Sequence, residues 1–133
     1  MARPESPEFG VVFDLATIEN DMRQEEAYAR EGHTARTLVR EPDLRVVLIA
    51  MRAGGHIAEH LANATMSIHT LAGLVRVHLP RLARQHEGRT VELHTGQLLA
   101  LDRGIPHKVE AVADSAFVLT LGWHGDGARP TTE

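Results

Sequence analysis

The sequence contains no cysteine, and this absence excludes disulfide bonds, thiolate metal ligands and a cysteine nucleophile. Any metal chemistry must therefore use His, Asp or Glu side chains. Long hydrophobic runs are also missing, because the longest, residues 46–51 and 97–101, fall far short of the roughly 18 residues of a membrane-spanning helix. Residues 1–10 contain no apolar stretch of the kind found in a secretory signal. We therefore expect a soluble, cytoplasmic protein with no membrane partner.

Basic charge is not in excess either. The formal net charge is -4 at pH 7, so the average electrostatic field would repel nucleic acid rather than attract it. The sequence also lacks a G-x-S-x-G nucleophile motif, a phosphate-binding loop and a dinucleotide-binding fingerprint. We therefore expect no nucleic-acid partner and none of the functions that these three motifs carry.

What is present suits one globular domain. The chain has 133 residues, of which 43% are hydrophobic, enough for a single ordinary core. Residues 1–8 are predicted to be a disordered arm and residues 125–133 a polar tail, because neither has a periodic apolar face. The domain is therefore expected to span residues 9–124. Its one helix is predicted over residues 17–31, from the capping-type Thr17 to a stop at Gly32.

Beyond that helix the chain consists of short β-branched and leucine-rich runs that end at Gly, Pro or Asp, which is typical of strands joined by turns. The predicted strands are residues 34–40, 44–51, 56–60, 66–72, 74–79, 89–94, 97–101, 107–112 and 116–123. Such a series predicts an all-β fold, either a closed barrel or a double-sheet jelly roll, which leaves few exposed edges. His78 and His94 alternate with apolar neighbours, so both are expected to face solvent.

Glycine and histidine recur in two stretches at the spacings of two known sequence motifs. The matching residues are Gly54, His60 and Gly73 in the first stretch and Gly96, Gly104 and His107 in the second. In these positions the chain resembles the cupin family. The resemblance implies a double-stranded β-helix barrel, usually a homodimer, with a ligand site inside the barrel between His60 and His107.

The chain departs from the family pattern where further metal ligands would stand. Ala62 replaces the second histidine of the first motif and Met66 replaces its glutamate, while Asp102 and Ala111 replace the Pro and Asn of the second. The resemblance therefore implies a degenerate site in which His60 and His107 are the ligands that remain for Fe, Mn, Ni or Zn. Asp102 is the remaining candidate for a third ligand, since strand alternation turns Glu59 and Glu110 away from the interior.

Strand geometry explains why this spacing suits a binding site. Side chains alternate along a strand, so residues 60 and 62 are expected to share one face. A histidine on the neighbouring antiparallel strand would lie about 5 Å away across the pair. The predicted pocket for a small organic molecule is lined by His60, Ala62, Met66, His107, Ala111 and Trp123. Its apolar members favour an apolar ligand that the two imidazoles orient.

Two other interpretations remain open. A metal-dependent cupin enzyme of the dioxygenase or isomerase type would use His60 and His107, with water or substrate completing the metal shell. Residues 56–60 also spell H-x-x-E-H, the pattern of a zinc peptidase, which requires this segment to be helical. On a strand, His56 would lie on the same face as His60 but roughly 13 Å from it, unless the chain bulges.

Overall fold

The computed structural model describes residues 10–80 and 88–123. The predicted arm, residues 1–8, and the predicted tail, residues 125–133, lie outside these ranges. Within them, two helices precede nine strands. Their bounds are α1 Leu15–Met22, α2 Glu26–Glu31, β1 His33–Arg40, β2 Leu44–Met51, β3 His56–His60, β4 Thr65–Ala72, β5 Leu74–Leu79, β6 Arg89–His94, β7 Leu98–Leu101, β8 His107–Ala111 and β9 Ser115–Gly122. Neither helix is long and apolar enough to cross a bilayer.

The strands form two antiparallel sheets that enclose one core. The first sheet has the order β1-β2-β9-β4-β7 and the second the order β3-β8-β5-β6. Alternate side chains from both sheets point inward, and the fully or nearly buried ones include Met66, Ile68, Val75, Val77 and Phe117. The predicted all-β double-sheet jelly roll is therefore confirmed. Strands β2, β3, β5 and β6 have the predicted bounds, and the others differ by one residue at one or both ends.

The prediction of a single helix over residues 17–31 is wrong, because this stretch holds two helices. α1 begins two residues early, at Leu15, since Asp14 rather than Thr17 is its N-cap. The Asp14 carboxylate accepts a hydrogen bond from the Thr17 backbone N–H at 3.2 Å, which satisfies one of the free donors of the first turn. The end of α2 is as expected, because Gly32 follows it in the left-handed conformation with a φ of 84°.

Burial against the sheet explains why the helix divides. Met22 and Tyr28 are both buried, and six positions of a continuous α-helix would turn them about 120° apart around its axis. The break after Met22 lets both side chains reach the same sheet. Arg23 secures the break, because its guanidinium donates to the Glu19 carboxylate at 2.7 Å and to the Ser115 backbone carbonyl at 3.1 Å. Ser115 is 92 residues from Arg23 in sequence, so local propensity could not predict this contact.

The helices give the two sheets different outer faces. Met22 and Tyr28 pack with Leu38, Leu48 and Ala50 into a second apolar cluster on the outside of the first sheet. The outer face of the second sheet instead carries polar side chains that bond to one another, among them the Arg76–Glu92 ion pair at 3.1 Å. The molecule therefore has an interior, one helix-covered face and one polar face.

Candidate functional site

The structure brings the two predicted imidazoles together. His60, the last residue of β3, lies opposite His107, the first residue of β8. Their ring centroids are 4.4 Å apart and the ring planes make an angle of 60°. The pair sits at the end of the barrel where the β3–β4 and β7–β8 connections run. These connections are joined by a hydrogen bond from the Gly104 backbone N–H to the Ala62 carbonyl at 2.9 Å.

A β-bulge in β3 sets which histidine joins the pair. Ile57 lies opposite Val109, but His60 lies opposite His107, so β3 has one more residue than β8 between these two pairs. The extra residue reverses the alternation. Ile57 packs against the core and His60 shares its face, whereas His56, opposite Glu110, is exposed on the outside. The prediction from simple alternation that His56 lies on the same face of the strand as His60 is therefore wrong.

The bulged strand also removes the zinc-peptidase interpretation. That chemistry needs two histidines four residues apart on one face of a helix. Residues His56–His60 form the strand β3, and the bulge puts His56 and His60 on opposite faces of the sheet. The two rings cannot bind one ion from these positions.

Hydrogen bonds hold both imidazoles of the pair in one tautomer. The Nδ1 atom of His60 lies 3.0 Å from the Ala58 carbonyl, and the Nδ1 atom of His107 lies 3.0 Å from the Ile105 carbonyl. A carbonyl oxygen can only accept, so each Nδ1 carries the hydrogen and donates it. In the neutral ring the Nε2 atom then holds the lone pair. Both imidazoles thus present Nε2 as an acceptor or as a metal ligand.

His107 is buried and His60 is exposed. The side chain of His107 is only 1% exposed, and this burial is the main reason that its pKa is lowered. The hydrogen bond to the Ile105 carbonyl and the charge of Glu59 raise the pKa, while the neighbouring His60 lowers it further. The net lowering favours a neutral His107 at pH 7, with its Nε2 lone pair free of a proton.

The other predicted pocket residues divide between the two ends of the barrel. Met66 is buried in β4 and Ala62 packs against the same core. Trp123, just after β9, is buried in that core, and the Arg45 guanidinium lies 5.5 Å from its ring centroid. Ala111 is at the far end of β8 from His107, where its N–H donates to the Gly55 carbonyl. The structure therefore does not bring Ala111 to the imidazole pair.

The residues for a metal site are incomplete. Asp102 is exposed just after β7, and no group of three His, Cys, Asp or Glu side chains able to hold a metal occurs among residues 10–80 and 88–123. Catalytic zinc sites use three protein ligands. Glu59 is exposed, and Glu110 bonds to His78 on the outer face, so neither carboxylate joins the pair. Two imidazoles alone do not fit a complete metal centre.

Sequence reasoning missed a polar cluster on the second sheet. His78 was expected only to face solvent, but its two ring nitrogens bond to Thr90 and Glu110. Strand alternation already places these residues on the polar sides of their strands. The missing information was the order β8-β5-β6, which puts His78 between the other two. The cluster borders a cleft of about 330 Å³.

Comparison with known proteins identifies the fold. No protein-family model matches the sequence, and no curated protein matches it. A cupin superfamily protein from Desulfitobacterium hafniense is 14% identical, with a TM-score of 0.67 over 92% of this chain and 100% of that chain. A conserved protein of unknown function from Streptococcus pyogenes is 23% identical, with a TM-score of 0.65 over 93% of this chain and 96% of that chain. The chain therefore has the cupin fold.

Larger proteins contain the same barrel. The oxalate decarboxylase of Lactobacillus farciminis is 20% identical, with a TM-score of 0.62 over 74% of this chain and 31% of that chain. At these identities the likeness concerns architecture, because one fold hosts many unrelated functions. The function of this chain must be argued from its own side chains.

Proposed function

We propose that this barrel binds a small organic molecule at the end where His60 and His107 meet, with weak metal binding or none. The observation that carries the proposal is the pair of imidazoles 4.4 Å apart, each with Nδ1 committed to a backbone carbonyl. Their Nε2 atoms are acceptors for a hydroxyl or amine of the ligand. Binding then depends on these two side chains and not on a metal.

The surroundings of the pair favour a ligand with an apolar body. Ala62 and Met66 belong to the core at this end of the barrel, and both stand where the family pattern has a metal ligand. An apolar wall with a few convergent polar groups is the usual composition of a small-molecule site. Neutral His107 adds an acceptor without placing a charge in that environment.

A metal-dependent enzyme of the dioxygenase or isomerase type is the second candidate. The hydrogen bonds from Nδ1 to the carbonyls of Ala58 and Ile105 support it, because metal-bound histidines usually donate their other ring N–H in this way. His60 and His107 would hold the ion, which would polarise a substrate oxygen when bound. This candidate requires further ligands beyond the two imidazoles.

The proposal is tested with two probes that differ in one hydrogen-bond donor. Phenol carries a hydroxyl on an apolar ring, and toluene is its counterpart without a donor. We expect phenol to bind the metal-free protein about 5- to 10-fold more tightly than toluene, as one net hydrogen bond provides. This preference should disappear in a His60→Ala variant and persist in His56→Ala, the matched control on the outer face of the same strand. Calorimetric titration and imidazole ¹⁵N chemical shifts measure both effects.

Two results would contradict the proposal. One is equal binding of phenol and toluene by the wild-type protein, or no binding of either. The other is near-stoichiometric Fe, Mn, Ni or Zn in tag-free protein that is lost in His60→Ala, which would favour the metal-dependent enzyme. We expect less than about a tenth of an equivalent of metal, and a melting temperature that a chelator does not change, because a tightly bound ion would stabilise the folded state.

A further inference from the structure

Three side chains on the outer face of the second sheet form a continuous hydrogen-bonded chain. His78 in β5 lies opposite Thr90 in β6, and its Nδ1 atom is 2.9 Å from the Thr90 Oγ1 atom. The His78 Nε2 atom is 2.6 Å from the Glu110 carboxylate in β8. One imidazole therefore connects a hydroxyl to a carboxylate.

The direction of each hydrogen bond follows from the carboxylate. The hydrogen bond from His78 is the main reason that the pKa of Glu110 is lowered, so the carboxylate is ionised and can only accept. The Nε2 atom of His78 must then carry the hydrogen, and in the neutral ring Nδ1 holds the lone pair. In this neutral form of His78, Thr90 donates its hydroxyl hydrogen to Nδ1. A hydroxyl that donates to an imidazole oriented by a carboxylate is the arrangement of an activated nucleophile.

The Thr90 side chain lines a cleft that is large enough for a small organic substrate. The cleft has a volume of about 330 Å³, and Thr90, His78, Leu79, Pro80 and Gly88 line it together with Glu59, Arg89 and Lys108. Thr90 is exposed, so a ligand in the cleft can reach Oγ1. Arg89 and Lys108 supply two cations against the one carboxylate of Glu59. Positive charge beside a nucleophile stabilises the oxyanion that forms when a carbonyl group is attacked.

We propose that this cleft is a second site, separate from the imidazole pair in the barrel, at which Thr90 accepts an acyl group from a small carboxylic ester. The Thr90 Oγ1 atom attacks the carbonyl carbon, its proton passes to His78 Nδ1, and the carbonyl π electrons move onto the oxygen. Collapse of the tetrahedral intermediate breaks the ester C–O bond, and His78 returns the proton to the leaving alkoxide. Water then attacks acyl-Thr90 by the same route, which releases the acid and restores the hydroxyl.

The roles of the three residues differ. Thr90 and His78 contact the reacting atoms and are the catalytic residues of the proposed step. Glu110 acts through His78 as a positioning residue, because it holds the ring in the tautomer whose Nδ1 accepts a proton. A purely structural role for the same three side chains would link β6, β5 and β8 without making the hydroxyl reactive. The two roles make different predictions for a substitution that preserves shape.

Acylation by p-nitrophenyl acetate tests the proposal. We expect release of p-nitrophenolate and an acetyl group on the peptide that contains Thr90, detected by mass spectrometry after acid quenching. Thr90→Val keeps the branched shape and should abolish the adduct, whereas Thr90→Ser should retain it. His78→Gln should lower the acylation rate about 10²-fold or more, the usual contribution of a general base. Glu110→Gln should also lower the rate and alter its dependence on pH.

The control separates this site from ordinary surface reactivity. His94→Gln replaces an exposed histidine of β6 that has no contact with the three residues, so this variant should acylate at the wild-type rate. Thermal melts establish that each variant is folded. Ester cleavage that is unchanged in Thr90→Val, an adduct on another residue, or no adduct in folded wild-type protein would each overturn the proposal.

Discussion

His60 and His107 each donate Nδ1–H to a backbone carbonyl at 3.0 Å, but only His107 is buried. Burial disfavours the charged imidazolium and is the largest cause of the lowered pKa of His107. This affects the stability of the whole protein, because a group whose pKa differs between the folded and unfolded states makes the free energy of unfolding depend on pH.

The free energy of unfolding should therefore fall as the pH drops below about 6.5, where histidine in the unfolded chain takes up a proton. The folded state does not protonate His107 until a lower pH, so its contribution to stability is present above about 6.5 and is lost between the two pKa values. Urea unfolding from pH 7.5 to 5 measures the effect. The slope of the unfolding free energy against pH should be smaller in His107→Gln than in the wild-type protein, and His56→Gln should keep the wild-type slope. Parallel curves for wild type and His107→Gln would contradict this prediction.

At the scale of elements, the turns between strands contain glycines in the left-handed conformation. Gly73 joins β4 to β5 with a φ of 84°, and Gly96 joins β6 to β7 with a φ of 88°. They differ in their surroundings. A Cβ atom on Gly73 would lie 2.3 Å from the Asp114 carbonyl oxygen and from the Ser115 Oγ atom, whereas one on Gly96 would meet nothing within 4 Å. The two positions share the backbone requirement, and Gly73 adds a packing requirement.

Substitution by alanine separates these two requirements. Gly96→Ala should lower the free energy of unfolding by about 1–2 kcal/mol, the cost of a left-handed conformation for a residue with a Cβ atom. Gly73→Ala should lower it by more, because the β4–β5 turn must also move away from Ser115. Urea unfolding measures the loss of unfolding free energy in each variant. If Gly73→Ala cannot be obtained in soluble form, it counts as the variant with the larger loss. Equal losses in the two variants would show that the close approach at Gly73 has no energetic effect.

At the scale of the whole molecule, two apolar clusters lie on opposite sides of the first sheet. The barrel core contains Trp123, and the outer cluster contains Tyr28 and the fully buried Met22. Strand β2 contributes to both clusters, since Ile49 faces the core while Leu48 faces the helices. A shared strand couples the helices to the barrel, so the domain should unfold in one cooperative step.

Met22→Ala tests this coupling from the helix side. Truncating a fully buried methionine should lower the free energy of unfolding by about 2–5 kcal/mol. Exposed Leu98→Ala is the control and should change it by less than about 0.5 kcal/mol. The chain has one Trp and one Tyr, so Trp123 fluorescence and the near-ultraviolet signal of Tyr28 report on different clusters. The two signals should shift together in Met22→Ala, and separate transitions would show that the helices unfold independently.

Local sequence signals predicted most of the fold. Strand bounds were correct to within one residue because Gly, Pro and Asp interrupt short alternating runs, and both the interruption and the alternation are properties of neighbouring residues. The helix stop at Gly32 was predictable for the same reason, since a left-handed cap is a local requirement. The juxtaposition of His60 and His107 was implied instead by the resemblance of their surroundings to the two cupin motifs.

The amino-acid sequence by itself thus determined the elements, their order and the residue types at the barrel end. Tertiary structure alone decided the break between α1 and α2, the bulge that separates His56 from His60, and the place of Ala111 away from the pair. It also decided that His78 lies between Thr90 and Glu110. The physical reason is the same in each case: these features arise from contacts between residues far apart in the chain, and packing outweighs local preference where the two differ.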